Sequence, residues 1–281
     1  MVDCHIHMVL DGEYWKAAIS RHAQGPDIPW IRDVLEQYRQ AGFTWLRDCG
    51  DRWGVGAKAR QLAQEYGLTY RTPLASLYKK GHYGGIIGLP FENDREFAAL
   101  VRENRENGAD FIKIMISGLM DFDRFGALTE EGLEAGEIRK LIHIAHEEGM
   151  VVSVHGNGAR NVTAAAEAGV DSVEHGAYLD DETLHAMQEA GTVWVPTVST
   201  IGNLRGKGRF DEAAVEEILE SALENVAEFA AMGGLIAPGT DAGAWQVPHS
   251  ILSEFALLRE ALGEETEALL ERGTATIQRK F

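Results

Sequence analysis

His5 and His7 stand two residues apart in the apolar segment VDCHIHM at the start of the chain. In a β-strand, side chains two residues apart point to the same face, so both imidazoles would face one way while Cys4 and Ile6 face the other. Two neutral imidazoles side by side are suitable ligands for a divalent metal ion. A short H-x-H pair also arises by chance, so the pair alone leaves metal binding and a purely structural role open.

Three further residues with metal-binding side chains end other apolar runs. His155 lies in VVSVHGNG, His175 in SVEHGAY and Asp241 in APGTDAG. Imidazole and carboxylate together form good ligand sets for Zn²⁺ and related divalent ions. Each histidine taken alone would more often be a hydrogen-bonded core residue. Five such residues at equivalent strand ends are hard to attribute to chance, and they predict one metal centre.

Lys113 is the remaining unusual residue, because it lies in the middle of the apolar strand-like segment DFIKIMIS. A buried ammonium is costly without a partner, so a paired lysine inside the fold and an exposed lysine at an edge are both open. Strand alternation puts Phe111, Lys113 and Met115 on one face. The opposite face, which carries only isoleucines, is expected to pack on helices outside the sheet.

The elements that must position these residues alternate regularly along the chain. Eight β-branched, apolar segments read as strands: VDCHIHM, TWLRDC, TYRTPLASL, DFIKIMIS, MVVSVH, DSVEH, TVWVPT and GLIAPGTD. Amphipathic helical segments lie between them, and several end in glycine, which commonly stops a helix. Eight strand–helix units predict an α/β fold, a single-domain (β/α)8 TIM barrel over residues 1–281. Long insertions follow the third and fourth strands, at the end of the barrel where active sites form.

Composition excludes several classes of partner. The formal net charge is −18 and no segment concentrates Lys and Arg, which argues against nucleic acid and anionic membranes. Two cysteines do not make a disulfide framework, and no stretch approaches the ~18 apolar residues of a membrane span. A signal peptide is not expected before the first strand. A cytoplasmic protein acting on a small molecule is therefore expected, and a homo-oligomer is compatible with the sequence.

The order of these residues resembles the amidohydrolase superfamily, which has H-x-H on strand one, Lys on strand four, His on strands five and six, and Asp on strand eight. The wording DFIKIMISG, VSVHGNGARNVTAAAEAGVDSVEHGAYLDDETLHAMQEAGTVWVPT and PGTDAG is most similar to its prolidase and imidazolonepropionase-like branch. The resemblance covers essentially the whole barrel. Most members also carry an accessory β-sandwich, which this chain is expected to lack.

The resemblance implies a centre of two divalent ions, with Zn as the first expectation and Mn, Fe or Co as alternatives. His5, His7 and Asp241 would hold the more buried ion, and His155 and His175 the more exposed one. Lys113, carboxylated by CO₂ to a carbamate, would bridge the two ions. The carbamate is an anion between two cations, so it would also resolve the cost of burying this side chain.

The implied chemistry is hydrolysis of a C–N amide bond by water that the metal activates to hydroxide. Asp241 would take the proton and pass it to the leaving nitrogen, as a general base and then a general acid. A dipeptide, an Xaa-Pro dipeptide or an N-acyl amino acid is the expected substrate. Two alternatives remain: a mononuclear deaminase or cyclic-amide (imidazolone-type) hydrolase, and a non-catalytic metal-binding barrel.

Substrates of this kind carry a carboxylate, for which arginine is the usual bidentate partner. Candidates in loops near the predicted site are Arg124, Arg205 and Arg160. The pocket walls are expected to include His82, Tyr83, Tyr178 and Trp245. Each of these side chains could equally serve the packing of its own loop or remain at the surface.

Overall fold

The computed structural model describes residues 1–281 and contains ten strands and eleven α-helices. The strands are β1 (Val2–Ile6), β2 (Trp45–Asp48), β3 (Thr69–Arg71), β4 (Ser76–Lys79), β5 (Leu89–Phe91), β6 (Ile112–Met115), β7 (Val152–Gly156), β8 (Ser172–His175), β9 (Val193–Val195) and β10 (Leu235–Ile236). The helices are α1 (Trp15–Arg21), α2 (Ile28–Gln40), α3 (Val55–Ala63), α4 (Asp94–Glu106), α5 (Ala135–Glu147), α6 (Ala159–Glu167), α7 (Asp181–Ala190), α8 (Ser199–Gly202), α9 (Glu212–Ala231), α10 (Ser253–Leu262) and α11 (Thr266–Lys280). Short 3₁₀ turns cover Gln64–Tyr66 and Gly263–Glu265.

All paired strands are parallel, in the orders β1-β2-β3 and β10-β9-β8-β7-β6-β4-β5. Backbone hydrogen bonds join the open edges of these two sheets. The amide of Cys4 donates to the carbonyl of Pro238 at 2.8 Å, and the amide of Asp241 donates to the carbonyl of His5 at 2.8 Å. On the other side, β3 leads directly into β4. The predicted (β/α)8 architecture is confirmed.

The segment TYRTPLASL predicted one continuous third barrel strand, and this prediction is wrong. The strand is split into β3 and β4 because Pro73 offers no amide donor and Leu74 adopts a left-handed conformation with φ of 63°. The insertion after it contains β5, which pairs with the edge of β4 opposite the one that pairs with β6. A three-residue strand with a central proline carries almost no periodic signal, which explains why it was not predicted.

Helix α2 illustrates how the outer layer forms. Asp27 caps its first turn by accepting a hydrogen bond from the Trp30 amide at 3.2 Å, and a proline occupies the first turn. One face buries Ile31, Val34, Leu35 and Tyr38, which belong to the same apolar cluster as Ile6 and Leu46. The helix thereby holds β1 and β2 from outside.

The face assignment of β1 needs one correction. The register to β2 shifts between Asp3 and Ile6, as in a β-bulge. Ile6 packs outward against helix residues as predicted, whereas Cys4 packs with Val193 and Val195 in a cluster that includes the carboxyl-terminal Phe281. Simple alternation cannot anticipate a bulge, because the extra residue changes the phase of the strand.

The face assignment of β6 is confirmed. Ile112, Ile114 and Ile116 lie in the large cluster that contains buried side chains of α5, while Lys113 and Met115 line the central cavity. This arrangement brings Lys113 to the same end of the barrel as the predicted metal-binding residues. None of the helices is both long enough and apolar enough to cross a lipid bilayer.

Glu254 in α10 gives a prediction about stability. Its side chain is fully buried, Oε2 accepts from the Ser199 amide at 2.7 Å, and Oε1 has no partner. Burial raises the pKa of this carboxyl from 4.5 to about 8. The folded chain then binds more protons than the unfolded chain between these values, so this group lowers stability as pH rises from about 4.5 to about 8.

Glu254→Gln should therefore flatten this dependence, so that the variant gains thermal stability over the wild type as pH is raised from 5 to 9. Thermal unfolding followed by circular dichroism across this range measures the difference in Tm. Glu260→Gln, on the exposed face of the same helix, is the matched control. Parallel curves for wild type and Glu254→Gln would contradict the prediction.

Candidate metal centre

The structure brings all six predicted ligand residues together at one end of the barrel. His5, His155 and His175 lie at or near the carboxyl ends of β1, β7 and β8, His7 and Asp241 follow β1 and β10, and Lys113 is the second residue of β6. All six line one cavity. Parallel strands around a barrel present their carboxyl ends at the same rim, which is why residues far apart in sequence meet here.

The tightest cluster is formed by His5, His7 and Asp241. The two Nε2 atoms are 3.3 Å apart. Asp241 Oδ1 lies 3.0 Å from His7 Nε2 and 3.3 Å from His5 Nε2, yet this buried oxygen makes no hydrogen bond. Because burying an unsatisfied carboxylate oxygen is costly, a cation shared by these three atoms would stabilise the arrangement. The donor set therefore fits a divalent ion.

His155 and His175 complete the rim. Their ring centroids are 4.5 Å apart, and the centroid of His175 is 4.9 Å from that of His5. His155 Nε2 must donate to the carbonyl of Gly118 at 3.2 Å, which leaves Nδ1 with a free lone pair. Burial lowers the pKa of His155 to about 3 and holds that of His175 well below its usual range, so both rings are neutral and able to coordinate.

Lys113 lies beside these rings with its side chain 1% exposed, and its Nζ atom has no hydrogen-bond partner. Burial lowers the pKa of the amine. A neutral amine is the form that adds CO₂. An amine that is buried among ligand residues without a hydrogen-bond partner therefore fits the expected carbamate. As an unmodified amine, Lys113 would have no interaction that offsets the cost of its burial.

A buried charge network below the cluster was not predicted. Glu174 Oε2 accepts from His5 Nδ1 at 2.7 Å, while Oε1 accepts from Arg47 at 2.7 Å, Ser172 at 2.7 Å and Ser153 at 2.8 Å. Although burial opposes ionisation, Arg47 holds the pKa of Glu174 well below its usual range. The carboxylate thus fixes the His5 tautomer and leaves Nε2 free as a ligand.

A sequence signal for this network existed. Arg47 in TWLRDC and Glu174 in DSVEH are charged residues inside apolar strand segments, as Lys113 is in DFIKIMIS. Both side chains are completely buried. Two opposite charges in such positions on different strands of one barrel indicate an internal ion pair, because neither could be buried alone.

Backbone geometry at the rim is unusual. His175 and Asp241 adopt left-handed φ values of 69° and 57°, a conformation that costs about 1–3 kcal/mol for residues other than glycine. Gly239 precedes Asp241 where β10 approaches β1, and a Cβ there would lie 2.8 Å from His5 Cβ. The glycine in APGTDAG is therefore needed for Asp241 to come close to His5.

Above the cluster lies a cavity of about 420 Å³. Its walls are mainly apolar and aromatic; they include Leu10, Tyr14, Trp15, Tyr83, Ile86, Ile87, Met115, Leu119, Met120, Phe122, Leu204, Phe210 and Trp245. Of the side chains proposed from sequence to line the pocket, Tyr83 and Trp245 do so. The Tyr83 ring lies 4.8 Å from the His155 ring, centroid to centroid.

The other pocket candidates lie outside the cavity, and these assignments are corrected. Arg205 pairs with Glu216 at 2.7 Å, Arg160 pairs with Glu134 at 3.0 Å, and the Arg124 side chain is 73% exposed. Tyr178 packs its ring on Phe125 at 5.4 Å. His82 lines a neighbouring surface depression, 3.5 Å from Glu130. Most of these side chains contact a neighbouring segment of the chain, such as Glu134 for Arg160 and Phe125 for Tyr178, and periodicity does not reveal such contacts.

Arg209 is the arginine that does line the cavity, and sequence reasoning missed it. Its guanidinium lies 4.3 Å from the Trp245 ring centroid and 5.2 Å from that of Phe210. No carboxylate pairs with it, unlike the neighbouring Arg205. Its segment, GNLRGKGRF, contains two arginines and a lysine, and only the folded loop shows that Arg209, although exposed, lies at the cavity wall.

A (β/α)8 barrel with histidines and an aspartate at one rim is the arrangement expected of the amidohydrolase family, and comparison with known sequences supports this assignment. The chain belongs to the amidohydrolase family, whose profile matches residues 1–271. Ochratoxinase of Aspergillus niger is 26% identical over 276 residues, covering 85% of this chain and 56% of that protein. The chain thus spans little more than half the length of this curated relative.

Solved structures share the fold. The structure of a Xaa-Pro dipeptidase with bound methionine superposes with a TM-score of 0.79 at 23% identity, covering 99% of this chain and 75% of that one. The structure of A. niger ochratoxinase gives a TM-score of 0.79 at 22% identity, covering 99% of this chain and 70% of that one. The resemblance to the amidohydrolase superfamily drawn from the sequence motifs is confirmed.

Proposed function

We propose that the chain is a metal-dependent hydrolase that cleaves a C–N amide bond in a small molecule. The six rim residues would hold two divalent ions, with zinc as the leading candidate. One observation carries the proposal: Asp241 Oδ1 and the Nε2 atoms of His5 and His7 converge within 3.3 Å beneath an apolar cavity, without hydrogen bonds that satisfy the carboxylate. The names of the related ochratoxinase and Xaa-Pro dipeptidase support hydrolysis as the reaction class.

Divalent ions bound by these residues would acidify water and polarise the substrate carbonyl. The chain's own groups then divide the remaining work. Asp241 is ionised, because His5 and His7 hold its pKa well below the usual range despite burial. It can accept a proton from the attacking water at its carboxylate and deliver it to the leaving nitrogen. The apolar walls exclude bulk water from this transfer.

The cavity also restricts the substrate. Its aromatic and aliphatic walls favour an apolar group on one side of the scissile bond. Arg209 supplies the only guanidinium among the lining residues and has no carboxylate partner of its own, so it suits a substrate carboxylate. An N-acyl amino acid or a dipeptide, including an Xaa-Pro dipeptide, with a bulky apolar group combines both features.

The test is a panel of such substrates offered to the zinc-loaded protein, with released amine and ammonia measured in parallel. We expect amine release from N-aroyl amino acids and apolar dipeptides, and slower release from acetyl amino acids. Ammonia release alone would favour the deaminase alternative, and opening of cyclic amides alone would favour the imidazolone-type alternative. A fully metallated protein that turns over nothing on the panel would leave only the non-catalytic alternative.

Arg209→Gln should raise KM about 10- to 100-fold for substrates with a free carboxylate and change kcat little. The reason is that a hydrogen bond to a charged group contributes about 1.5–3 kcal/mol, and this contact is made equally in the ground state and the transition state. Steady-state kinetics on a substrate and its carboxamide analogue measure the effect. For the carboxamide, wild type and Arg209→Gln should have similar KM values. Arg205→Gln is the control, because Arg205 pairs with Glu216 outside the cavity. Equal KM values for wild type and Arg209→Gln would remove Arg209 from substrate recognition.

A further inference from the structure

Cys49 follows β2 and is 1% exposed. Its Sγ atom and the ligand nitrogens of His5 and His7 all lie within 4.8 Å of one another. The sulfur forms no hydrogen bond, and its neighbour in sequence, Asp48, faces away toward Thr72 and the amide of Met8. A thiol directed at two imidazole nitrogens belongs to a ligand cluster rather than to the apolar core.

Cys49 belongs to none of the apolar clusters that make up the core. Its contact with the two imidazoles is therefore the geometric feature that distinguishes it.

The other cysteine is different in every respect that matters. Cys4 is equally buried, but it packs among Phe111, Val193 and Val195 on the floor of the barrel. Burial raises the pKa of its thiol strongly, as expected for an inert core cysteine. Cys4 is not part of either group of side chains that could hold an ion. It serves as a matched internal reference.

We propose that Cys49 is a metal ligand, whose thiolate binds the ion held by His5 and His7 and biases the centre toward zinc over manganese. The inference rests on the proposed metal centre. On binding, the thiol proton passes to solvent as the sulfur–metal bond forms, and no oxidation or reduction takes place. Thiolate is a soft ligand that selects zinc, whereas manganese prefers carboxylate, carbonyl and water oxygen.

X-ray absorption of the zinc-loaded full chain tests this directly. We expect a zinc–sulfur contribution at about 2.3 Å in the wild type and in Cys4→Ser, and its loss in Cys49→Ser. The cobalt-substituted protein should show a sulfur-to-cobalt charge-transfer band with the same pattern. Zinc should also protect Cys49 of the folded protein from alkylation by iodoacetamide. In denatured protein, Cys49 should be alkylated with or without zinc.

Affinity provides the second readout. Cys49→Ser should weaken zinc binding by more than the about 10- to 100-fold that loss of an outer-shell partner causes, and should weaken manganese binding less. A wild-type protein that binds zinc without any sulfur contribution would overturn the role of Cys49 while leaving the hydrolase proposal intact. A wild-type protein that binds no zinc at all would overturn both. The wild-type spectrum decides the question even if Cys49→Ser does not fold.

Discussion

Asp241→Asn should slow amide hydrolysis by about 10²- to 10⁴-fold, which is the usual cost of removing a general base. Asparagine still offers an oxygen toward His5 and His7, but it cannot accept the proton of the attacking water. We therefore expect the variant to fold and to retain part of its metal. Turnover and metal content measured on the same preparation separate loss of proton transfer from loss of the centre.

The matched control is Asp180→Asn, since Asp180 caps α7 through the amide of Thr183, away from the cavity, and asparagine caps helices equally well. This control should keep wild-type turnover. If Asp241→Asn kept near-normal turnover with a full complement of metal, Asp241 could not be the proton carrier, and the mechanism would need another base among the cavity residues.

Glu174→Gln should produce the largest loss of stability. The substitution leaves Arg47 as an uncompensated charge in a fully buried site, which typically costs about 3–5 kcal/mol of the free energy of unfolding. The amide of glutamine has one acceptor oxygen and cannot accept from both His5 and Arg47, so His5 is held less firmly and zinc affinity should fall about 10- to 100-fold. Chemical denaturation in the presence of chelator measures the first effect, and zinc titration measures the second.

Two comparisons make this prediction specific. Arg47→Met combined with Glu174→Gln should recover part of the lost stability, because the unpaired charge is then gone. Glu167→Gln breaks an ion pair with Arg139 in which both side chains are 49% exposed, and it should change stability by less than about 1 kcal/mol. A comparably small loss in Glu174→Gln would show that the buried network does not support the fold.

The fold could be predicted because its signals are local and repeated. Apolar strand segments alternate with amphipathic helices, and this pattern led to the barrel without any contact information. It failed where an irregularity of the backbone interrupts the regular alternation of a strand. Pro73 and Leu74 split the third strand, and the bulge in β1 turned Cys4 inward.

The arrangement of the site was predictable to a similar degree, and for a physical reason. Ligand residues at strand ends must meet at one rim, so His5, His155 and Asp241 came together as expected. Loop residues obey no such rule. Arg205 and Arg209 lie four residues apart in one loop, yet one pairs with Glu216 and the other faces the cavity. Only the folded loop reveals this difference.

Zinc content and amide turnover, followed together while the metal is removed by chelation and then restored with bicarbonate present, test the central claim most directly. The proposed centre predicts that turnover falls and returns in proportion to zinc, and that binding saturates at about two ions per chain, as in two-metal hydrolases. Saturation at one ion per chain with full activity would contradict the binuclear centre. Undiminished turnover in protein stripped of all metal would contradict the metal-dependent hydrolase itself.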